Sequence, residues 1–251
     1  MKYKQKVGAN NIRFTRQGVG NPILFLHGFG IPSRHYRKVF QDLAKNNEVI
    51  APDMYGINYL TNQPISINEY AELTHELQTA LKIGPCIVAG HSLGGTVGFT
   101  MATNSSDITQ TIGINPTLPV AYGTNSFLRK SIYKGIRETL GLAGGFKSVK
   151  FGLTLPLPFA FNLARNFKAS SKTVADICAH DYSKIEVTQP STILYGTDDE
   201  FFQLTQSIEE KIKRSFKNLD IKKIKKMNHD WPIFWQRYAA SLIHKAIREK
   251  T

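Results

Sequence analysis

Short apolar runs, each closed by glycine or by polar residues, recur along the chain. Apolar and polar residues do not alternate within them, and such runs are typical of strands buried on both faces of a sheet. Stretches with helical spacing separate most of these runs, and this order indicates a mostly parallel sheet with helices on both faces. We predict the buried strands at residues 23–26, 49–51, 86–89, 111–114 and 192–195.

The same pattern predicts how the chain begins and where its helices lie. Residues 3–7 and 11–16 favour a hairpin of two strands. Ser33 and Asn68 each precede a helical stretch, and we predict both as N-cap residues. At the other end, one continuous helix is predicted from Pro232 to Arg248.

The alternation of strands and helices stops between residues 116 and 187. Within this stretch, residues 127–140 have the spacing of an amphipathic helix, and residues 151–161 are apolar but broken by prolines. The second run is too short to cross a bilayer, which takes roughly 20 apolar residues. We therefore predict a core of residues 1–115 and 188–251 with residues 116–187 inserted as a lid. This lid is expected to shelter a site and to contact the apolar part of a substrate, and weak contact with a membrane surface is an alternative.

Composition and charge limit the kinds of partner and cofactor that we expect. The 251 residues carry a formal net charge of +13, but the lysines and arginines are scattered and no nucleic-acid motif accompanies them, so we expect no nucleic-acid partner. The densest basic run, residues 222–226, is interpreted as an edge strand that lysines protect from pairing with another sheet. Two cysteines form no disulfide framework, and no Cys/His spacing suits a metal, so neither a metal nor a cofactor is predicted. Without an apolar leader, a cytoplasmic protein is expected, with a peripheral membrane position as an alternative.

One buried strand leads into the sequence Gly90-His91-Ser92-Leu93-Gly94. A Gly-x-Ser-x-Gly pattern between a strand and a helix is typical of a serine held in a strained turn, where neighbouring side chains would not fit. The hydroxyl group of Ser92 would then project above the sheet. The amide of Leu93 would sit at a helix N-terminus, where a negative charge is favoured.

Other polar residues follow strand ends and should meet at the same rim of the sheet. His27-Gly28-Phe29 comes after one strand, and Asp53 comes after the next. Asp198 and Asp199 follow the last apolar run, and His229 precedes the final helix.

In these features, taken in this order, the chain resembles the α/β-hydrolase fold family, and in particular its lid-bearing serine esterases and lipases. The resemblance covers nearly the whole chain and implies a nucleophile at Ser92, a general base and acid at His229, and an acid at Asp199, with Asp198 as the alternative. Asn115, at a strand end where some relatives keep an acid, is not a carboxylate, and this favours the later loop.

The resemblance also implies an oxyanion hole formed by the backbone N–H groups of Phe29 and Leu93. Four residues are expected to support the turns: His27, Gly28, Gly90 and Gly94. Because a serine rather than an aspartate occupies position 92, the branches of the family that attack through a carboxylate are disfavoured.

The sequence therefore predicts a serine hydrolase that cleaves a small-molecule carboxylic ester with an apolar acyl or alcohol part. The alternatives are a C–C bond hydrolase or a hydroxynitrile-lyase-like enzyme with the same three residues. A ligand-binding protein that keeps the fold without turnover is a further alternative.

Overall fold

A twisted sheet of eight strands lies at the centre of the described part of the chain. The computed structural model describes residues 2–53, 65–118, 129–130, 133 and 167–249. The strand order is β1-β2-β4-β3-β5-β6-β7-β8. Strands β1 and β2 form the predicted antiparallel hairpin, β2 also pairs antiparallel with β4, and the remaining pairs are parallel. The predicted α/β class is confirmed.

The bounds of the strands and helices agree with the apolar runs to within a few residues. The strands are β1 Lys2–Val7, β2 Asn10–Gln17, β3 Asn21–Leu26, β4 Asn47–Pro52, β5 Cys86–His91, β6 Ile108–Ile114, β7 Ser191–Gly196 and β8 Leu219–Ile224. The helices described are α1 Arg37–Leu43, α2 Ile67–Ala80, α3 Leu93–Asn104, α4 Phe167–Ala179, α5 Gln206–Arg214, α6 Trp231–Phe234 and α7 Gln236–Arg248. Short 3₁₀ turns occupy Ser33–Tyr36 and Tyr182–Lys184.

Successive residues of a buried strand enter different cores on the two faces of the sheet. Leu24 and Leu26 of β3 pack into the core beneath α2, α3, α4 and α5. Ile23 and Phe25 of the same strand pack into the core beneath α1, α6 and α7. Because both faces are covered, every position of β5 and β7 is buried. This explains why the runs are apolar without alternation.

Two predicted helix caps are wrong. Helix α2 is capped by Ser66, whose hydroxyl accepts the N–H of Glu69 while the Glu69 carboxylate accepts the Ser66 N–H. Asn68 lies inside the helix instead. Ser33 begins a 3₁₀ turn, and its N–H and hydroxyl both donate to Asp53, so the side chain is not available to cap a helix.

The C-terminal segment also departs from the prediction. The predicted single helix is divided at Trp235 into α6 and α7. The lysine-rich strand β8 does lie at an edge of the sheet, as expected. Lys222 forms an ion pair with Glu249, and Lys223 with Glu209.

Most of the predicted lid lies outside the described residues, including residues 151–161, and so does the alternative of a membrane contact. Of residues 127–140, only 129, 130 and 133 are described, and they are helical. Helix α4, at the end of the insertion, packs Val174 and Ile177 into the core on the α3 side of the sheet. In the part of the chain that is described, none of the helices combines the length and apolarity needed to cross a membrane.

Candidate active site

Ser92 occupies a strained turn between β5 and α3. Its backbone has φ 53° and ψ −124°, a conformation that costs a residue with a Cβ about 1–3 kcal/mol. The Ser92 N–H donates to the carbonyl of Ile114 at the end of β6, and this bond fixes the turn against the neighbouring strand. The side chain is 6% exposed and lies at the carboxyl ends of the parallel strands, where the sequence places it.

The glycines around Ser92 provide space for backbone rather than flexibility. A Cβ at Gly90 would collide with the backbone of Gly94, and a Cβ at Gly94 would collide with the backbone of Leu26 and His27. A Cβ at Gly28 would lie 3.2 Å from the Cβ of Ser92. The start of α3, the end of β3 and the turn after β3 therefore pack backbone against backbone, which only glycine permits.

His229 lies between the two other predicted triad residues. Its Nε2 atom is 2.9 Å from the Oγ of Ser92, and its Nδ1 atom is 2.8 Å from the Oδ2 of Asp199. A carboxylate can only accept, so Nδ1 carries the proton and the Nε2 lone pair faces the serine hydroxyl. Three side chains distant in sequence thus form one continuous line of hydrogen bonds.

The two candidate acids have different environments. The Asp199 side chain is fully buried, and its Oδ1 accepts the backbone N–H groups of Phe201 and Phe202 at 2.8 and 2.9 Å. Asp198 is exposed, and its Oδ1 accepts the hydroxyl of Thr197. The structure therefore brings Asp199, and not Asp198, to His229.

Aromatic rings enclose the His229 imidazole. The ring centroids of Phe201 and Phe202 lie 5.2 and 5.4 Å from that of His229. All three side chains are buried. Excluding water from this position strengthens the electrostatic interactions of the imidazole with its partners.

The residues predicted to form the oxyanion hole lie on the two turns that the glycines hold together. Leu93 is the first residue of α3, so its N–H has no acceptor within the helix. Phe29 lies in the turn after β3, where the Ile31 N–H donates to the Gly28 carbonyl. His27 is buried with its Nδ1 atom 2.8 Å from the carbonyl oxygen of Gly28, and burial lowers the pKa of this imidazole.

One cluster in the described residues brings ligand atoms of metal-binding type together: His91, His229 and Asp230. Both nitrogens of each imidazole already lie 2.7–2.9 Å from hydrogen-bond partners. A metal ion would have to displace those bonds, so the geometry favours proton transfer at His229.

Sequence reasoning missed the residues that form hydrogen bonds with the backbone of His229. The N–H of His229 donates to the Oε2 of Glu200 at 3.0 Å. Its carbonyl oxygen lies 2.9 Å both from the Nε2 of His91 and from the Nδ2 of Asn115. No sequence pattern marks Asn115 as a donor to this loop, and Tyr36, which contacts His91, lies 55 residues away from it with no motif to connect them.

Comparison with known proteins agrees with this architecture. A family model described as the alpha/beta hydrolase family matches residues 23–240. The 30 kDa magnesium-chelatase subunit of Rhodobacter capsulatus is 25% identical over 161 residues, which is 63% of this chain and 50% of that protein. A 2-hydroxy-6-oxo-2,4-heptadienoate hydrolase of Pseudomonas putida is 32% identical over 92 residues, covering 34% of this chain and 33% of its own length. The chain thus spans half or less of each of these two relatives.

Solved structures share this fold. An esterase from Thermogutta terrifontis superimposes with a TM-score of 0.77, at 17% identity and with 100% of both chains covered. At this low identity the comparison supports the fold alone, and the chemistry has to be inferred from the residues of the site.

Proposed function

The chain belongs to the alpha/beta hydrolase family, and from this premise we propose that it is a serine hydrolase that cleaves carboxylic esters with an apolar acyl or alcohol part. The observation that carries the proposal is the pair of contacts made by the His229 ring, 2.9 Å to Ser92 and 2.8 Å to Asp199. A serine hydroxyl is a weak nucleophile unless a neighbouring base accepts its proton, and this arrangement supplies that base.

In the proposed reaction, the Oγ of Ser92 attacks the ester carbonyl carbon while its proton passes to the Nε2 of His229. The new C–O bond converts the carbonyl oxygen into an oxyanion. We assign its stabilisation to the N–H groups of Phe29 and Leu93, each contributing about 3–4 kcal/mol in the transition state. The protonated imidazole then donates to the leaving alcohol as the ester C–O bond breaks, and an acyl-enzyme remains on Ser92.

Hydrolysis of the acyl-enzyme repeats these steps with water as the nucleophile. His229 accepts a proton from water, the oxygen attacks the acyl carbon, and Ser92 leaves with the proton returned by His229. The role of Asp199 is to hold the imidazole in the Nδ1–H tautomer and to stabilise its positive charge. The two backbone N–H groups on Oδ1 support this role because they hold the carboxylate with Oδ2 directed at the ring.

The preference for an apolar substrate is supported by the residues around the site. Phe29 packs on the same core as Phe201, at the end of the sheet where Ser92 lies. A polar alcohol or acid with little apolar surface would gain little from such surroundings.

The first test is labelling by a fluorophosphonate, which reacts with activated serines. Wild-type protein should be labelled at neutral pH, and Ser92→Ala should not. Ser241→Ala, which removes an exposed hydroxyl on α7, is the matched control and should be labelled like wild type. Wild-type protein that stays unlabelled would favour the ligand-binding alternative.

The second test is a series of nitrophenyl esters with acyl chains from acetyl to octanoyl. We expect kcat/KM to rise with chain length, by up to roughly fourfold for each buried CH₂ at about 0.8 kcal/mol. A preference for acetyl over octanoyl would contradict the proposed apolar substrate.

C–C bond hydrolysis is the second candidate, since the same three residues could serve it. It is favoured by the similarity over 92 residues to the 2-hydroxy-6-oxo-2,4-heptadienoate hydrolase. Turnover of a vinylogous 1,5-diketone with no measurable activity on any nitrophenyl ester would establish this reaction over ester hydrolysis.

A further inference from the structure

A second histidine lies beside the nucleophile, fully buried, and the proposed mechanism does not use it. His91 ends β5, and its ring makes two contacts: Nδ1 is 2.7 Å from the hydroxyl of Tyr36, and Nε2 is 2.9 Å from the carbonyl oxygen of His229. A carbonyl can only accept, so Nε2 must carry the proton. Nδ1 is then an acceptor, and the Tyr36 hydroxyl donates to it. The His229 carbonyl therefore fixes the tautomer of His91, and the Tyr36 hydroxyl satisfies the remaining nitrogen.

Asn115 reaches the same carbonyl from the neighbouring strand end. Its Nδ2 lies 2.9 Å from the carbonyl oxygens of both Asn228 and His229, and its Oδ1 accepts the N–H of Gly196 at 2.7 Å. Asn115 is completely buried and has φ 41°, a left-handed conformation that asparagine adopts more readily than most residues with a Cβ. Its side chain thus connects the end of β7 with the loop that carries His229.

We propose that His91, anchored by Tyr36, is a positioning residue that holds the backbone of His229 so that its imidazole meets Ser92 and Asp199. Asn115 binds the same carbonyl oxygen, and we refer to Tyr36, His91 and Asn115 together as the clamp. The inference rests on the proposed function, since it assigns how the base of that reaction is held. A displacement of about 1 Å can cost 100-fold in rate, so a loop that carries the base needs such fixed contacts.

The electrostatics of the clamp suit this role. Burial, together with the proximity of His229, lowers the pKa of His91 to about 3, and the carboxylates of Asp230 and Asp199 oppose that shift only in part. His91 is therefore neutral in ordinary buffers and keeps both an acceptor and a donor nitrogen. Burial also raises the pKa of Tyr36, so its hydroxyl stays protonated and continues to donate.

The clamp also reaches the turn that carries Phe29. The Gly28 N–H points at the Tyr36 hydroxyl across 3.5 Å, and a Cβ at Gly28 would lie 3.2 Å from the Nδ1 of His91. The hydroxyl group of Tyr36 therefore contacts both His91, which binds the loop with the base, and the turn with a proposed oxyanion donor.

The test compares His91→Phe, which keeps a planar ring without N–H groups, with His91→Gln, whose amide can place an N–H near the position of Nε2. We expect His91→Phe to lower both kcat and the rate of fluorophosphonate labelling by about 10–100-fold, with KM changed less than twofold. His91→Gln should recover to within a few fold of wild type. His75→Phe on α2, outside the clamp, is the matched control and should resemble wild type.

Tyr36→Phe provides an independent variant if His91→Phe fails to fold. Without the hydroxyl donor, Nδ1 of His91 is left as a buried acceptor without this bond and the ring loses one of its two anchors, so labelling should slow by severalfold. Equal labelling rates for wild type, His91→Phe and Tyr36→Phe, at unchanged thermal stability, would overturn the clamp while the proposed function stands. Loss of labelling in wild type itself would overturn both.

Discussion

One carboxylate oxygen of Asp199 contacts the imidazole of His229, and the other accepts hydrogen bonds from backbone N–H groups. Oδ2 lies 2.8 Å from the Nδ1 of His229, and Oδ1 accepts the N–H groups of Phe201 and Phe202. The direction of the acid therefore depends on the turn after β7. Because these residues are close in sequence, the segment 199–202 both supplies the carboxylate and fixes its orientation.

The first prediction separates the two aspartates. Asp199→Asn should lower kcat by about 10⁴-fold, because an amide at this position can select the wrong imidazole tautomer. Asp198→Asn changes an exposed neighbour and should stay within twofold of wild type. Steady-state kinetics on the best nitrophenyl ester measures both variants, and equal losses would contradict the assignment of the acid to Asp199.

The second prediction concerns the strain at Ser92. A glycine accepts φ 53° without cost, so Ser92→Gly should be more stable to urea than Ser92→Ala by about 1 kcal/mol, although neither is labelled by a fluorophosphonate. At Ser241, inside α7, the same pair should have the reverse order, with glycine about 1 kcal/mol less stable than alanine. The same order at both positions would show that the turn is not strained.

The third prediction tests the close backbone packing. Gly90→Ala and Gly94→Ala place a methyl group on neighbouring backbone, so we expect a loss of several kcal/mol or failure to fold. Gly84→Ala is the control, because a Cβ there would meet nothing within 4 Å. Its stability should equal that of wild type or exceed it by up to about 1 kcal/mol. Thermal unfolding of the three purified variants makes the comparison.

The fourth prediction is a dependence of stability on pH. Burial lowers the pKa of His91 to about 3 and that of His35 to about 4, from 6.5 in the unfolded chain. The unfolded state therefore binds more protons below pH 6.5. The stability gained by keeping these rings neutral is fully present above that pH and is lost as the pH falls toward 4. The slope is at most about 1.4 kcal/mol per pH unit for each imidazole.

Urea unfolding between pH 7 and 5 measures this slope above the range in which most carboxyl groups titrate. His35→Gln leaves the proposed triad untouched and should make the slope shallower. A variant with the wild-type slope would show that His35 does not contribute to the acid sensitivity.

The fold could be predicted because both faces of the sheet are covered. Complete burial forces unbroken apolar runs such as Ile23 to Leu26, and a run of this kind can be recognised in one sequence. The helix cap at Asn68 was wrong for a local reason, since the nearby Ser66 accepts the N–H group of Glu69 instead. The cap at Ser33 was wrong for a reason that is not local. In the fold, Asp53, distant in sequence, takes the hydroxyl of Ser33, and such competition is invisible to sequence.

The candidate site could likewise be predicted only in part from the sequence. Residues that carry chemistry, such as Ser92, lie in turns with a recognisable pattern. The clamp on His229 comes instead from Tyr36, His91 and Asn115, on three separate strand or turn ends, and only the strand order brings them together. Asn115 has no pattern of its own because its contacts are to backbone atoms, whose positions depend on the whole sheet.

The contact of Gly94 with the backbone of Leu26 and His27 has a consequence for how this protein could change its substrate over time. The positions of the amides of residues 29 and 93 depend on this main-chain packing, whereas their side chains differ in surroundings: Leu93 is buried in the core, and Phe29 is only partly buried. Mutation of Phe29 can therefore change the apolar surroundings of the proposed site while the backbone donors keep their places, so substrate preference could evolve apart from catalytic power.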